Sequence, residues 1–123
     1  MPSYVPQRGD LVYLSFDPQA GHEQAGKRPA LILSPQSYNR KLGMAICCPV
    51  TSQVKGYPFE VVIPAGHKIN GVILADHIKN LDWQARQARF IERIPDDTLH
   101  EVLNKLSTLL ALKPEGAPRG KAN

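Results

Sequence analysis

Apolar and polar positions alternate along residues 10–17. Val12, Leu14 and Phe16 fall on one side, and Leu11, Tyr13 and Ser15 on the other. Period two predicts a strand, which Asp17-Pro18 stops. Residues 30–33, Ala-Leu-Ile-Leu, are apolar on both sides, the pattern of a central strand. Ser34-Pro35 ends it, and residues 35–43 read as a helical turn or loop. Residues 44–50 predict a third strand. Pro49 has no N–H for a ladder and belongs at an edge or near the strand's end. Residues 59–63 alternate again, residues 71–75 give a fifth strand, and residues 85–94 a sixth and noisier one. Residues 51–58 and 64–70 read as loops. The pattern turns helical only at Pro95-Asp96-Asp97-Thr98, a start signal with acids at the positive end of the dipole. Leu99, Val102, Leu103, Leu106, Leu109 and Leu110 then share one face, which must cover one mouth or face of the strands. Short strands with one terminal helix predict a mainly β fold, a small barrel or coiled sheet. Residues 1–112 are expected to form a single domain. Residues 113–123, with two prolines and two glycines, are expected to be a disordered tail.

Composition narrows the picture. A chain of 123 residues can bury one real core. The net charge is +4, but Lys113, Arg119 and Lys121 against Glu115 leave the body with 12 basic and 10 acidic residues, a net +2. That permits nucleic-acid binding without demanding it, so local clusters have to carry the argument. Cys47 and Cys48 are adjacent and point to opposite faces, so they read as two small buried hydrophobes rather than a disulfide. The four histidines are scattered with no metal-ligand spacing, and no metal or cofactor is expected. No apolar run approaches the roughly 20 residues of a membrane span, and residues 1–10 contain no apolar leader. A cytoplasmic protein without a membrane partner is the expectation. Neither a Gly-rich phosphate fingerprint nor a nucleophile elbow is present.

Residues 21–29, Gly-His-Glu-Gln-Ala-Gly-Lys-Arg-Pro, lie between two apolar runs and are unusually long for a hairpin loop. They gather an imidazole, a carboxylate, a carboxamide, an ammonium and a guanidinium, which suits an anionic, hydrogen-bonding ligand such as a phosphodiester. Composition alone reads them equally well as a wet surface loop.

The order of motifs decides between the two. Gly9-Asp10, Phe16-Asp17-Pro18, residues 21–30, Cys48-Pro49-Val50-Thr51-Ser52, residues 55–61, residues 71–76 and Trp83-Gln84-Ala85-Arg86 together resemble the MazF/PemK family of toxins. The likeness runs from about residue 9 to residue 110. It implies an SH3-like small barrel of the CcdB/MazF/PemK type with a C-terminal helix, acting as a homodimer. It also implies a sequence-specific, metal-independent endoribonuclease that cuts single-stranded mRNA to a cyclic phosphate and a 5′-hydroxyl. The implied partner besides RNA is a cognate antitoxin with an extended acidic tail. Carried over residue by residue, the family's catalytic positions are Glu23, Arg28 and Thr51. The PemK branch adds a loop histidine, matched by His22, and an Arg-x-Asp triplet, of which Asp76 matches. Leu74 stands where the arginine would be, so an acid–base scheme built on that arginine cannot operate here.

Arg28 suits stabilisation of transition-state charge, since its fork grips two phosphate oxygens and its pKa makes it a poor acid. Thr51 supplies a hydroxyl donor. Glu23 has three open roles: base towards the 2′-OH, reader of a base edge, or partner of Arg28. His22, Gln24, Ser52, Gln53 and Asp76 are candidates for substrate contact, and Lys27, Lys55, Lys79 and Arg86 for an electrostatic lining. Tyr13 and Tyr57 are candidates for stacking on bases, whereas Trp83 reads as core. The alternative is a non-catalytic toxin of the same fold that poisons a DNA topoisomerase.

Overall fold

A computed structural model describes residues 4–15 and 27–111 of the chain. Phe16, His22, Glu23, Gln24 and the tail expected over residues 113–123 lie outside the described residues, as does most of the long loop. The elements are β1 (Asp10–Ser15), β2 (Lys27–Ile32), α1 (Gln36–Leu42), β3 (Met44–Thr51), β4 (Glu60–Val62), β5 (Val72–Leu74), β6 (Lys79–Asp82), β7 (Arg89–Arg93) and α2 (Asp96–Leu110). All strand pairs are antiparallel. The sheet runs β4-β5-β3-β2-β1-β7, with β6 also on β3. It does not close on itself, but a bulge between Leu11 and Val12 and the wrapping of α2 make it barrel-like.

Alternation in the sequence becomes two cores. Leu11, Leu31, Leu33, Cys48, Val50, Val61 and Ile73 pack on one face with Leu99, Val102 and Leu106 of α2. Val12, Leu14, Ala30, Ile32, Ala45, Cys47 and Trp83 pack on the other. Residues apolar on both sides therefore sit in the middle: β2 lies between β1 and β3, and Ala30, Leu31 and Ile32 are fully buried. The two cysteines go to opposite faces, as expected, and are free. Burial pushes the Cys47 thiol up to about 11 and Cys48 to about 12, so both stay protonated at neutral pH. Trp83 is core, and its indole N–H donates to the Asn39 carbonyl at 2.8 Å.

Several boundaries differ from the sequence reading. β2 starts at Lys27, not Ala30. Lys27, Arg28 and Pro29 pair with Ser15, Leu14 and Tyr13. Pro29 and two exposed cations hide this strand from a hydrophobic pattern. Within residues 35–43 stands a true helix, α1 (Gln36–Leu42), ended by Gly43 in the left-handed region at φ +70°. β6 is missing from the sequence reading altogether: three of its four residues are exposed, and it is a strand because Met44–Cys47 pair with it. The sixth predicted strand shrinks to β7, and Arg86 falls in the turns before it. On α2, Leu109 and Leu110 are exposed although they share the apolar periodicity.

Pro49 lies near the end of β3, at the place where that strand changes partners. The Ile46 carbonyl accepts the Leu33 N–H at 2.8 Å, so residues 46 and 48 turn their backbone groups towards β2, and residues 47 and 49 turn theirs away. On that outer side β6 pairs as far as Cys47 and β5 begins at Val50. The missing N–H therefore falls in the gap between two partners.

Candidate active site

Arg28 and Thr51 come from neighbouring strands. The β2–β3 ladder ends at Ala30 and Pro49, and Arg28 and Thr51 each lie two residues beyond that last pair. Both line a cleft of about 880 Å³ together with Gln53, Lys55, Asp76 and Lys79. These side chains converge because β2, β5 and β6 all pair with β3. Both also line an adjoining cleft of about 660 Å³ with Lys27, Ser52 and Gln53. Arg28, Thr51 and Gln53 therefore stand between two hollows, with a cation-bearing wall on each side.

Arg28 is exposed on a strand whose next residues are buried, so its base is rigid while its guanidinium is accessible. Thr51 is half-buried. Its Oγ1 accepts the Gln53 N–H at 3.1 Å, which orients the oxygen and leaves the hydroxyl proton to be donated elsewhere. The main chain of Thr51 is held from the other side by Gly71, which sits at φ +124°. A Cβ there would stand 2.2 Å from the Thr51 carbonyl oxygen, so only glycine permits this approach.

Of the candidates within the described residues, Lys27, Arg28, Thr51, Ser52, Gln53, Lys55, Asp76 and Lys79 line the two clefts. Arg86 does not. Its Nη1 donates to the Ser15 carbonyl at 2.7 Å, and Ser15 N–H donates to the Arg86 carbonyl at 3.0 Å, which fastens the end of β1. Tyr57 lines the larger cleft and Tyr13 the smaller one, with 61% and 37% of their surfaces exposed, enough for a base to reach a ring. Leu74 forms part of the apolar wall and brings no charge.

The structure adds residues that the sequence reading passed over. His77 lines the larger cleft 3.8 Å from the Asp76 carboxylate. Glu60 lines it too, and Lys68 and Asn70 line the smaller one. A loop position before a predicted strand carries no signal that it faces Thr51. A slightly larger hollow of about 1000 Å³ elsewhere contains none of the candidates, and in it Tyr4 and Arg93 both bond Asp10. Among the described residues no three His, Cys, Asp or Glu side chains gather as a metal site, and no helix is long and apolar enough to cross a membrane.

The arrangement offers an accessible guanidinium, an oriented hydroxyl donor and flanking ammonium groups, which suits a phosphodiester drawn across β2 and β3. The chain as a whole is also similar to known proteins. A family profile described as PemK-like, MazF-like toxin of type II toxin–antitoxin system matches residues 7–110. The endoribonuclease toxin MazF of Escherichia coli K12 is 48% identical over 107 residues, 87% of this chain and 96% of that protein. The endoribonuclease PemK of Escherichia coli is 38% identical over 85% of this chain and 81% of its own. A crystal structure of MazE–MazF from Deinococcus radiodurans superposes with a TM-score of 0.81 at 48% identity, covering 90% of this chain and all of that one.

Proposed function

The chain belongs to the PemK-like, MazF-like toxins of type II toxin–antitoxin systems and is a toxin endoribonuclease, and from that premise we propose that it cuts single-stranded mRNA at a specific sequence without a metal ion. The observation that carries the reading is the meeting of Arg28 and Thr51 between two cation-walled clefts. In this reaction the ribose 2′-oxygen attacks phosphorus as its proton leaves, the bond to the 5′-oxygen breaks, and that oxygen gains a proton. The products are a cyclic phosphate and a 5′-hydroxyl. Arg28 meets the charge on the non-bridging oxygens through its fork, and Thr51 donates its hydroxyl proton to one of them. Glu23 completes the set. It takes the 2′-OH proton, reads a base edge or holds Arg28, and His22, Gln24, Ser52, Gln53 and Asp76 contact the RNA. Lys27, Lys55 and Lys79 supply attraction for the backbone. Arg86 serves the fold rather than the groove.

In this reading the protein works in the cytoplasm as a homodimer; its neutralisation by a cognate antitoxin is supported by the MazE–MazF complexes of Deinococcus radiodurans. The topoisomerase-poison alternative is not favoured, because the relatives matched over most of the chain are endoribonucleases.

Long RNA incubated with the purified protein in excess EDTA should be cut at a recurrent sequence, with cyclic-phosphate ends. Arg28→Lys keeps the charge but loses the bidentate grip, so cleavage should slow about a hundredfold or more while RNA affinity falls far less. Cleavage that needs Mg²⁺, or an Arg28→Lys variant as fast as the wild type, defeats the reading.

A further inference from the structure

A carboxylate on the wall of a cleft that takes a polyanion works against binding unless its charge is already met. Glu60, the first residue of β4, is such a carboxylate, and it shares the larger cleft with Arg28, Lys55 and Lys79. Its cross-strand neighbour, Leu74, offers no charge. Its partners are main-chain donors instead. Gly56 N–H reaches Oε1 at 2.8 Å, and Lys55 N–H reaches Oε2 at 3.1 Å and Oε1 at 3.3 Å. Gly56, at φ +80°, turns the chain so that two successive N–H groups face one carboxylate. The backbone of Glu60 fixes the other end of the segment, its N–H donating to the Tyr57 carbonyl at 3.1 Å. Lys105 of α2 adds a bond to the Pro58 carbonyl at 2.7 Å. One residue thus fastens residues 55–57, and with them the side chains of Lys55 and Tyr57, which line the cleft.

Resting on the endoribonuclease reading, we propose that Glu60 is a positioning residue for RNA binding, holding residues 52–59 in the shape that receives the substrate. The carboxylate sits in a basic cleft because its charge is committed to the loop. A loop already in its binding shape need not be ordered when RNA arrives, and apparent affinity scales with the fraction of molecules in that shape.

The experiment measures cleavage of an RNA oligomer carrying the mapped cut site, with Glu60→Ala and Glu60→Gln beside the wild type. If the competent loop falls to about a tenth of molecules, Glu60→Ala raises KM about tenfold and leaves kcat within about twofold. Glu60→Gln keeps one acceptor oxygen and falls between. The cut sequence stays the same, and the Lys55 and Gly56 amides lose exchange protection in Glu60→Ala. Simple charge repulsion predicts the opposite sign: KM falls, equally in both variants. That result overturns the proposal, and so does an unchanged KM. A shifted cut sequence makes Glu60 a reader of bases, and a loss of kcat at constant KM gives it a part in the chemistry. Either also overturns the proposal. Should the wild type not cut RNA, the endoribonuclease reading fails by itself. Amide exchange still decides the clamp, because protection retained at Lys55 and Gly56 in Glu60→Ala rules it out.

Discussion

Thr51 is held in place by a residue that lines neither cleft. Gly71 presses on the Thr51–Ser52 backbone, and a methyl there would meet the Thr51 carbonyl oxygen at 2.2 Å and its carbon at 2.9 Å. Gly66 makes a matched control. It too has positive φ, +94°, but a Cβ added to it meets nothing within 4 Å. Both alanine substitutions should cost about 1 kcal/mol or more in backbone strain. Gly71→Ala alone should also displace the Thr51 hydroxyl and lower kcat by about tenfold or more, since small misplacements at a reacting centre are costly. Equal kcat in the two variants, compared at a temperature where both are folded, would show that Thr51 is held by something else. Residues of this kind are invisible in a sequence. Arg28 and Thr51 are singled out through the family's pattern; Gly71 and Glu60 lie in its stretches too, but no spacing along the chain encodes their contacts across loops. Arg86 is the reverse case. Its type and motif fit a groove, but a carbonyl at the end of β1 claims it.

Among the elements, those with buried side chains were legible and those held by pairing alone were not. β1 and the buried half of β2 announce themselves because their side chains alternate into two cores, whereas Lys27–Pro29 do not. β6 does not, because Leu81 is its only apolar residue and its partner strand supplies the reason for its conformation. On α2 the helical period continues to Leu110, but the sheet beneath it does not, so the last turn is exposed. α1 is a different case, a short helix organised around one buried polar side chain. Asn39 is fully buried, and its Nδ2 donates to the Pro6 carbonyl at 2.8 Å and the Ser34 carbonyl at 3.1 Å. Its Oδ1 accepts the Ser34 hydroxyl. Asn39→Ala leaves those groups unpaired and should destabilise the fold by about 2–4 kcal/mol. A urea titration should show the midpoint falling with an unchanged slope. A loss below about 1 kcal/mol would mean that water replaces the amide.

At the scale of the whole molecule, apolar surface remains outside both cores. Leu109 and Leu110 are 52% and 65% exposed at the end of α2, and Val62 of β4 is 66% exposed. These residues stand on α2 and β4, which pack together, and the same two elements meet the larger cleft's wall at Pro58 and Glu60. A second copy covering them would bury the patch and lengthen the RNA path. Light scattering at micromolar concentration should report two chains per particle, and Leu110→Glu should shift it towards one. A wild-type monomer under those conditions contradicts the dimer. The geometry that the dimer would share depends in turn on Pro49, which stands where β3 passes from one partner to the other. Neither ladder can advance onto a residue that has no N–H to give. β6 cannot creep forward, nor β5 back, so the chain has a built-in stop against sliding. The height of Thr51 on β3 is thereby set by the point where the strand changes partners. A slip of one residue would exchange the two faces of β3, burying Thr51 and leaving a compact protein unable to harm its cell.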